Sequence, residues 1–278
     1  MNVRAHVDEN LRRVSARVTR QIVLRQGTEL GMVVGAGYPK SGTVWLCQLM
    51  ANYLGVPYPQ NYLSPIAMKS VVHAHWRWDA RLPPSGYIIR DGRDVMTSFY
   101  FFHMRALRQD KNPGLRRRLQ AHYDHLLGPG FDPADSRANM ARFIESTMQK
   151  GPATHGVPWH QHVREWAGTP RSNVGVVRYE DLLADTATNL GALMAQVTGE
   201  AARSDRAEMA AARFDFEQTT GRRKGVEDVS SFQRKGISGD WRNHFTEEAG
   251  SVFDRYAGDV LVQFGYEKDR SWFHQLER

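Results

Sequence analysis

The sequence predicts an α/β fold in which a central parallel β-sheet is flanked by helices. Short valine-rich apolar runs recur along the 278 residues, helical segments lie between them, and neither a linker nor an internal repeat divides the chain. Strands that alternate with helices favour a parallel sheet, because a crossover helix returns the chain to the start of the next strand. We therefore expect one domain over residues 1–278.

The individual elements follow from these runs, and the first of them, at residues 30–36, is rich in valine and bounded by glycines. Buried strands are predicted at residues 30–36, 71–75, 86–90 and 173–179. Helices are predicted at residues 44–54, from 94 to about 108, and at 182–198. A long histidine- and arginine-rich stretch, about 105–168, is predicted to be helical and to form one wall of a substrate pocket. The polar segment at about 217–236 is predicted to be a mobile lid loop.

The first 26 residues are predicted to form a basic amphipathic arm or helix. They contain six arginines, and Leu11, Val14, Val18 and Ile22 recur at helical spacing among them. This stretch lacks the apolar core and the small-residue cleavage site of a secretory signal. No run of 18 apolar residues occurs in the chain, so no membrane span is expected.

The net charge indicates the kind of ligand, and the cysteine content indicates the redox state of the compartment. A formal net charge of +7, with arginine dominant, favours an anionic ligand, because the guanidinium fork matches phosphate and sulfate. The single cysteine, Cys47, excludes an intrachain disulfide and is typical of a reducing compartment, so a cytoplasmic location is expected.

One glycine-bearing turn has the composition of an anion site. The segment Gly37-Tyr-Pro-Lys40-Ser41-Gly42-Thr43-Val-Trp45 stands between a predicted strand and a predicted helix. Such a turn directs backbone N–H groups and the positive end of the helix dipole to one point. The lysine ammonium and the two hydroxyls add to this potential. The phosphate-loop pattern G-x-x-x-x-G-K-[ST] is not matched, so bound magnesium is not implied and no metal is expected.

Several segments together resemble one known family. The loop above is similar to the 5′-phosphosulfate loop of cytosolic-type sulfotransferases, which use 3′-phosphoadenosine-5′-phosphosulfate (PAPS). Residues 87–98, YIIRDGRDVMTS, resemble the 3′-phosphate element of that family, and residues 234–246, RKGISGDWRNHFT, resemble its C-terminal RKGxxGDW element. Weaker similarities lie at 159–166 and 179–181. The resemblance spans about residues 33–266 and implies a P-loop-like nucleotide-binding fold.

The resemblance implies a role for each motif residue. Lys40 would stabilise the leaving group, and Ser41, Gly42, Thr43 and Val44 would hold the 5′-phosphate. The adenine would be bound by Trp45, Tyr179 and Phe216. The 3′-phosphate would be bound by Arg90, Ser98, Arg234, Lys235 and Gly236.

A histidine is expected to act as the base that takes the proton of the acceptor. The family segment reads KTHLP, whereas this chain reads His73-Ala-His75-Trp. The spacing favours His75, and His73 remains an alternative. Both would face the same side of a strand because they are two residues apart.

The expected reaction is transfer of a sulfuryl group from PAPS to a hydroxyl or amine of a small molecule by in-line displacement. A nucleotide kinase is the first alternative, and it would require magnesium. A non-catalytic basic module that binds anionic polymers or nucleic acid is the second, and its affinity would fall steeply with salt. Neither the acceptor nor the oligomeric state follows from the sequence.

Overall fold

The computed structural model describes residues 3–60, 62–108, 113–151, 157–168, 170–215, 217–218, 221–223, 225–226 and 236–277. The helices in this part of the chain are α1 (Val3–Gln26), α2 (Thr43–Leu54), α3 (Gly92–Arg108), α4 (Pro113–Leu127), α5 (Ser136–Lys150), α6 (Trp159–Ala167), α7 (Tyr179–Ala184), α8 (Thr186–Thr198), α9 (Ser204–Arg213) and α10 (Glu247–Gln263). Short 3-10 helices span Asp240–Asn243 and Trp272–Gln275. None of the described helices is long and apolar enough to cross a membrane.

A four-stranded parallel sheet confirms the predicted fold class. Its strands are β1 (Val33–Gly37), β2 (Val71–Ala74), β3 (Ser85–Ile89) and β4 (Val174–Arg178), in the order β2-β1-β3-β4. Because β1 pairs with β2 on one side and β3 on the other, the order of the strands reverses between β1 and β3. Open α/β sheets bind ligands at the carboxyl ends of the strands beside such a switch point.

The described residues divide into two compact units. The first comprises Met1–Ile89 and Glu165–Asp215, and it contains the whole sheet together with α1, α2 and α7–α9. The second comprises Arg90–Arg164 and Phe216–Arg278, and it is helical, with α3, α4, α5 and α10. Within the predicted helical region at 105–168, the described residues include α4, α5 and α6.

Helix α2 lies close to the sheet because glycines on two adjacent strands leave room for its sulfur-containing side chains. A Cβ atom placed on Gly35 would overlap the Cys47 sulfur, and one on Gly86 would stand 2.8 Å from the Met50 sulfur. Cys47 and Met50 are three residues apart, so both point from one face of the helix. Both side chains are fully buried and join the core of the first unit.

The structure differs from the sequence prediction after β4. The predicted helix at 182–198 is two helices, α7 and α8, separated at Asp185. The Asp185 carboxylate caps α8 by accepting the backbone N–H of Thr188 at 3.1 Å. A capping aspartate offers the chain a new helix start, which the apolar periodicity alone did not reveal. Most of the predicted lid at 217–236 lies outside the described residues.

Candidate active site

The loop between β1 and α2 is shaped by backbone positions that restrict side chains. Gly42 has a φ of 91°, and Lys40 has a φ of 73°, the only positive φ at a non-glycine among the described residues. A lysine in the left-handed region is uncommon and costs free energy that the surrounding structure must offset. At Gly37 a Cβ would stand 2.7 Å from both the Ile88 side chain and the Thr43 hydroxyl. The loop therefore turns tightly and closely approaches its own helix.

The start of α2 collects hydrogen-bond donors that the protein leaves unused. Gly42 is the N-cap of α2 and provides no side-chain cap, so the first N–H groups of the helix point out of its end. Ser41 Oγ and Thr43 Oγ1 are buried, and neither has a hydrogen-bond partner among the described residues. A buried hydroxyl without a partner costs about 1–3 kcal/mol, which a bound anion would recover. These donors fit a phosphate or sulfate group.

An aromatic pair stands beside the same loop. A Cβ on Gly42 would stand 2.9 Å from the Tyr179 ring, so the ring lies directly against the loop. The Trp45 and Tyr179 rings meet edge to face, with centroids 5.9 Å apart. Trp45 also donates its indole N–H to the Phe214 carbonyl at 3.0 Å. Trp45 and Tyr179 are thus brought together, whereas the predicted partner Phe216 lies outside the described residues.

The two candidate bases, His73 and His75, lie side by side. His73 is on β2, and its ring centroid is 4.4 Å from that of His75. His75 Nδ1 lies 2.6 Å from the Gly37 carbonyl oxygen. A carbonyl only accepts, so Nδ1 carries the proton, and Nε2 of a neutral His75 keeps its lone pair. This arrangement gives His75 the tautomer that a general base needs at Nε2.

The segment that follows His75 is held by contacts that the sequence did not reveal. The Trp166 indole N–H donates to the Trp76 carbonyl at 2.8 Å, and the Trp166 ring stacks on Tyr87 at 5.3 Å. Arg77 binds both oxygens of Glu165. Tyr87 and Trp166 are fully buried, so these contacts fix the backbone beyond the candidate base.

The second unit contains residues 90–98 of the predicted 3′-phosphate element and the described part of the C-terminal motif. Asp94 on α3 accepts the backbone N–H groups of Gly239 at 2.7 Å and Trp241 at 3.0 Å. Arg90 lies 3.9 Å from Asp94 and donates to the Ile237 carbonyl at 3.2 Å. Two segments almost 150 residues apart in sequence therefore meet at one buried carboxylate.

The remaining predicted 3′-phosphate residues are placed unevenly. Ser98 lies on α3, and Gly236 has a φ of 63° directly before the segment that contacts Arg90. Arg234 and Lys235 lie outside the described residues. The structure therefore brings the Gly236 segment to Arg90 but leaves the two basic neighbours of Gly236 without a described position.

One buried arginine, Arg93, packs between aromatic rings and carboxylates next to this motif. The Arg93 guanidinium is 3.9 Å from the centroid of the Trp241 ring and 4.5 Å from that of Trp272. It also binds the carboxylates of Asp91, at 2.8 Å, and Glu267. Arg93 and Asp94 lie within the predicted 3′-phosphate motif, but no role was predicted for either of them. The sequence signal for such a role was the position of two charged residues at the start of a buried helix, because charged side chains are almost never buried unless they are paired.

The described residues contain no group of three or more His, Cys, Asp or Glu side chains positioned to bind a metal ion. The groups described above for the candidate site are hydroxyls, backbone N–H groups, arginines, one lysine and two histidines.

Comparison with known proteins identifies the family. The model of the sulfotransferase domain matches residues 87–265, more than half of the chain. The chain belongs to the sulfotransferase family. The family predicted from the three motifs is thereby confirmed, and the sulfotransferase reaction, transfer of a sulfuryl group, is the activity of this chain.

Individual relatives extend the match to the N-terminal part of this sulfotransferase. Cytosolic sulfotransferase 1 of Danio rerio is 27% identical over 241 residues, which cover 79% of each chain. Human sulfotransferase 1E1 is 23% identical, with 81% of each chain covered. Among solved structures, mouse sulfotransferase SULT7A1 complexed with PAP has a TM-score of 0.57 at 18% identity, covering 86% of this chain and 89% of that one. At such low identity the structural match supports the fold alone.

Proposed function

We propose that this sulfotransferase takes its sulfuryl group from PAPS and transfers it to a hydroxyl or amine of a small-molecule acceptor. The observation that supports this donor most strongly is the pair of buried hydroxyls, Ser41 Oγ and Thr43 Oγ1, at the open end of α2. When bound, PAPS supplies the activated sulfuryl group. Residues 1–278 are proposed to act as a single catalytic domain, and the cytosolic relative supports a cytoplasmic location.

The loop residues are proposed to hold the 5′ end of the donor. The hydroxyls of Ser41 and Thr43 donate hydrogen bonds to the 5′-phosphate. The backbone N–H groups from Gly42 to Val44 add neutral donors at the positive end of the helix dipole. Lys40 places a positive charge where negative charge develops on the leaving oxygen. Preorganised charge of this kind lowers the barrier because the protein does not have to reorganise during the reaction.

Arg90 and Ser98 are proposed to bind the 3′-phosphate, with Gly236, Arg234 and Lys235 on the C-terminal side. The Asp94 carboxylate near Arg90 does not contact the nucleotide in this proposal. It positions Arg90 and the backbone at Gly239, so that a phosphate meets a guanidinium already in place. Trp45, Tyr179 and Phe216 are proposed to bind the adenine through ring contacts.

His75 is proposed as the general base. Its Nε2 takes the proton of the acceptor hydroxyl, and its Nδ1–H remains hydrogen-bonded to the Gly37 carbonyl. This bond stabilises the imidazolium that forms and keeps the ring in the correct orientation. His73, against the His75 ring, is proposed to position that ring and not to take the proton.

Calorimetric titration tests the proposed donor site. Adenosine 3′,5′-bisphosphate without magnesium should bind, whereas 5′-AMP and ATP should bind much more weakly. The Arg90→Ala variant should lose about 10- to 100-fold in affinity for the bisphosphate, since hydrogen bonds to charged groups contribute about 1.5–3 kcal/mol, and its affinity for 5′-AMP should stay unchanged. Equal losses for both ligands would contradict the Arg90 assignment. Binding of ATP that depends on magnesium would favour a kinase.

A further inference from the structure

Over residues 11–19 the N-terminal helix buries polar side chains and exposes apolar ones, whereas Val23 and Leu24 near its end are buried. Ser15 and Thr19 face inward, where the Ser15 hydroxyl bonds to the Leu63 carbonyl and Thr19 Oγ1 accepts the Ile66 N–H at 3.0 Å. Leu11, Val14 and Val18 are exposed instead, with 55% of Val14 open to solvent. Three members of the apolar stripe noted in the sequence therefore stay exposed to solvent, and the fourth, Ile22, is half-buried.

The loop bonded to the helix adds further apolar surface. Leu63 and Met68 are exposed, at 46% and 49%, within a few residues of the two hydrogen bonds that attach the loop to α1. Of nine large apolar side chains exposed in the described residues, five thus lie on α1 and this loop. We name these five residues, Leu11, Val14, Val18, Leu63 and Met68, the N-terminal apolar patch. A concentration of this kind marks an interaction surface.

The charge around the patch is mainly positive. Asp8 and Glu9 precede the patch on α1, but residues 10–26 contain five arginines and no acidic residue, and the loop at 62–69 adds Lys69 and no acidic residue. Arg12, Arg13 and Arg17 are exposed on the same turns of α1 as the stripe. A second copy of this chain would bring the same arginines against these, so self-association through the patch is disfavoured. A nucleic acid would use the arginines but would leave the apolar side chains in water.

We propose that α1 docks the protein on the surface of an anionic lipid membrane. An interfacial helix of this kind lies in the plane of the bilayer, with its apolar side chains in the headgroup boundary and its arginines on the anionic headgroups. The binding is peripheral and reversible. It is independent of the donor site proposed above.

Vesicle sedimentation tests the proposal on the full chain. Wild-type protein should bind vesicles of phosphatidylcholine with about one third phosphatidylglycerol, and bind far less to phosphatidylcholine alone. Leu11→Gln, Val14→Gln and Val18→Gln combined should weaken binding at least about tenfold. Glutamine has a better helix propensity than valine, so the helix itself is retained. Affinity for adenosine 3′,5′-bisphosphate should be unchanged in this variant.

A matched charge control separates docking from general attraction of a basic protein. Arg12→Gln, Arg13→Gln and Arg17→Gln should weaken vesicle binding at least about tenfold. The same three changes at Arg116, Arg117 and Arg118, exposed on α4, should leave it within about twofold. Equal losses of vesicle affinity in the two triple variants would overturn the proposal. Absence of wild-type binding to anionic vesicles at low salt would overturn it as well.

A fluorescent label reports insertion directly. Because Cys47 is the only cysteine and is fully buried, Val14→Cys introduces a uniquely accessible thiol. An environment-sensitive dye at this position should brighten and shift to shorter wavelength with anionic vesicles, and the same dye on Met209→Cys, exposed on α9, should not. A dye response without lipid that follows protein concentration would instead identify the patch as a contact between copies and would reject membrane docking.

Discussion

Lys40, which is proposed to stabilise the leaving group, has an unfavourable backbone conformation. Its φ of 73° lies where glycine is preferred, so the ammonium is positioned at a cost in conformational energy. We predict that Lys40→Ala lowers kcat at least about 100-fold, with a change of less than about threefold in bisphosphate affinity, because the charge acts mainly in the transition state.

Lys40→Gly is the matched control for this variant. It removes the same charge but fits the left-handed backbone, so it should be more stable than Lys40→Ala and equally slow. Single-turnover rates and thermal unfolding of both variants provide the measurement. Activity near wild type in Lys40→Gly would mean that the loop backbone, and not the ammonium, determines the rate.

The two histidines of residues 73–75 should respond differently to substitution. His75→Ala should lower kcat by about 10²–10⁴-fold, the usual contribution of a general base. His73→Ala should lower it by less than about tenfold, since His73 is proposed to pack against the His75 ring and not to take the proton. The pH dependence of kcat in both variants with a phenolic or alcoholic acceptor is the measurement. A reversed order of the two losses would assign the base to His73.

At the scale of elements, helix α3 and the segment at 236–241 are joined through one carboxylate. Asp94→Asn should lower the free energy of unfolding by about 1–3 kcal/mol, because an amide places an NH₂ against Arg90 or against one of two backbone N–H groups. Bisphosphate affinity should fall about tenfold, with 5′-AMP affinity unchanged.

Asp79→Asn is the comparison for this change. Asp79 pairs with the exposed Arg81 two residues away, and such pairs contribute little to stability. Urea unfolding and calorimetry should therefore show a loss of stability and of bisphosphate affinity in Asp94→Asn and little change in Asp79→Asn. If Asp94→Asn unfolds like wild type and binds both nucleotides normally, Asp94 does not position the phosphate site.

The elements also show how far sequence reasoning reached. All four strands were predicted within three residues at each end, because short apolar runs signal buried parallel strands. The structure also places Trp45 beside Tyr179 and His73 beside His75, and the roles assigned to these residues stay predictions. The break at Asp185 was missed because a capping side chain competes with apolar periodicity. The bonds of Asp94 to residues 239 and 241 were not predictable, since they depend on tertiary packing between distant segments.

At the scale of the whole molecule, stability should depend on pH through His160. Burial, assisted by Arg164, lowers the pKa of His160 to about 4, although Asp259 opposes the shift. In the unfolded chain a histidine has a pKa near 6.5, so below pH 6.5 the unfolded state binds the proton first. The stability contributed by neutral His160 is therefore present above pH 6.5 and is lost as the pH falls towards 4.

The prediction is a decrease in the free energy of unfolding of up to about 1.4 kcal/mol per pH unit in this window. Urea unfolding at several pH values between 7 and 4.5 is the measurement. The slope should decrease in His160→Gln and persist in His125→Gln, which changes an exposed histidine on α4. A slope that is the same in all three proteins would show that His160 is not the source.

The contact of α2 with the sheet has a consequence for the history of the sequence. Gly35 has no space for a Cβ because the sulfur atom of Cys47 fills it, whereas the atoms near Gly86 belong to the flexible end of Met50. A larger residue at position 35 therefore requires a smaller one at position 47, and position 86 is under a weaker constraint. Homologues in which position 35 is alanine should have glycine or alanine at position 47. Substitutions at positions 35 and 47 are thus expected to occur as a pair.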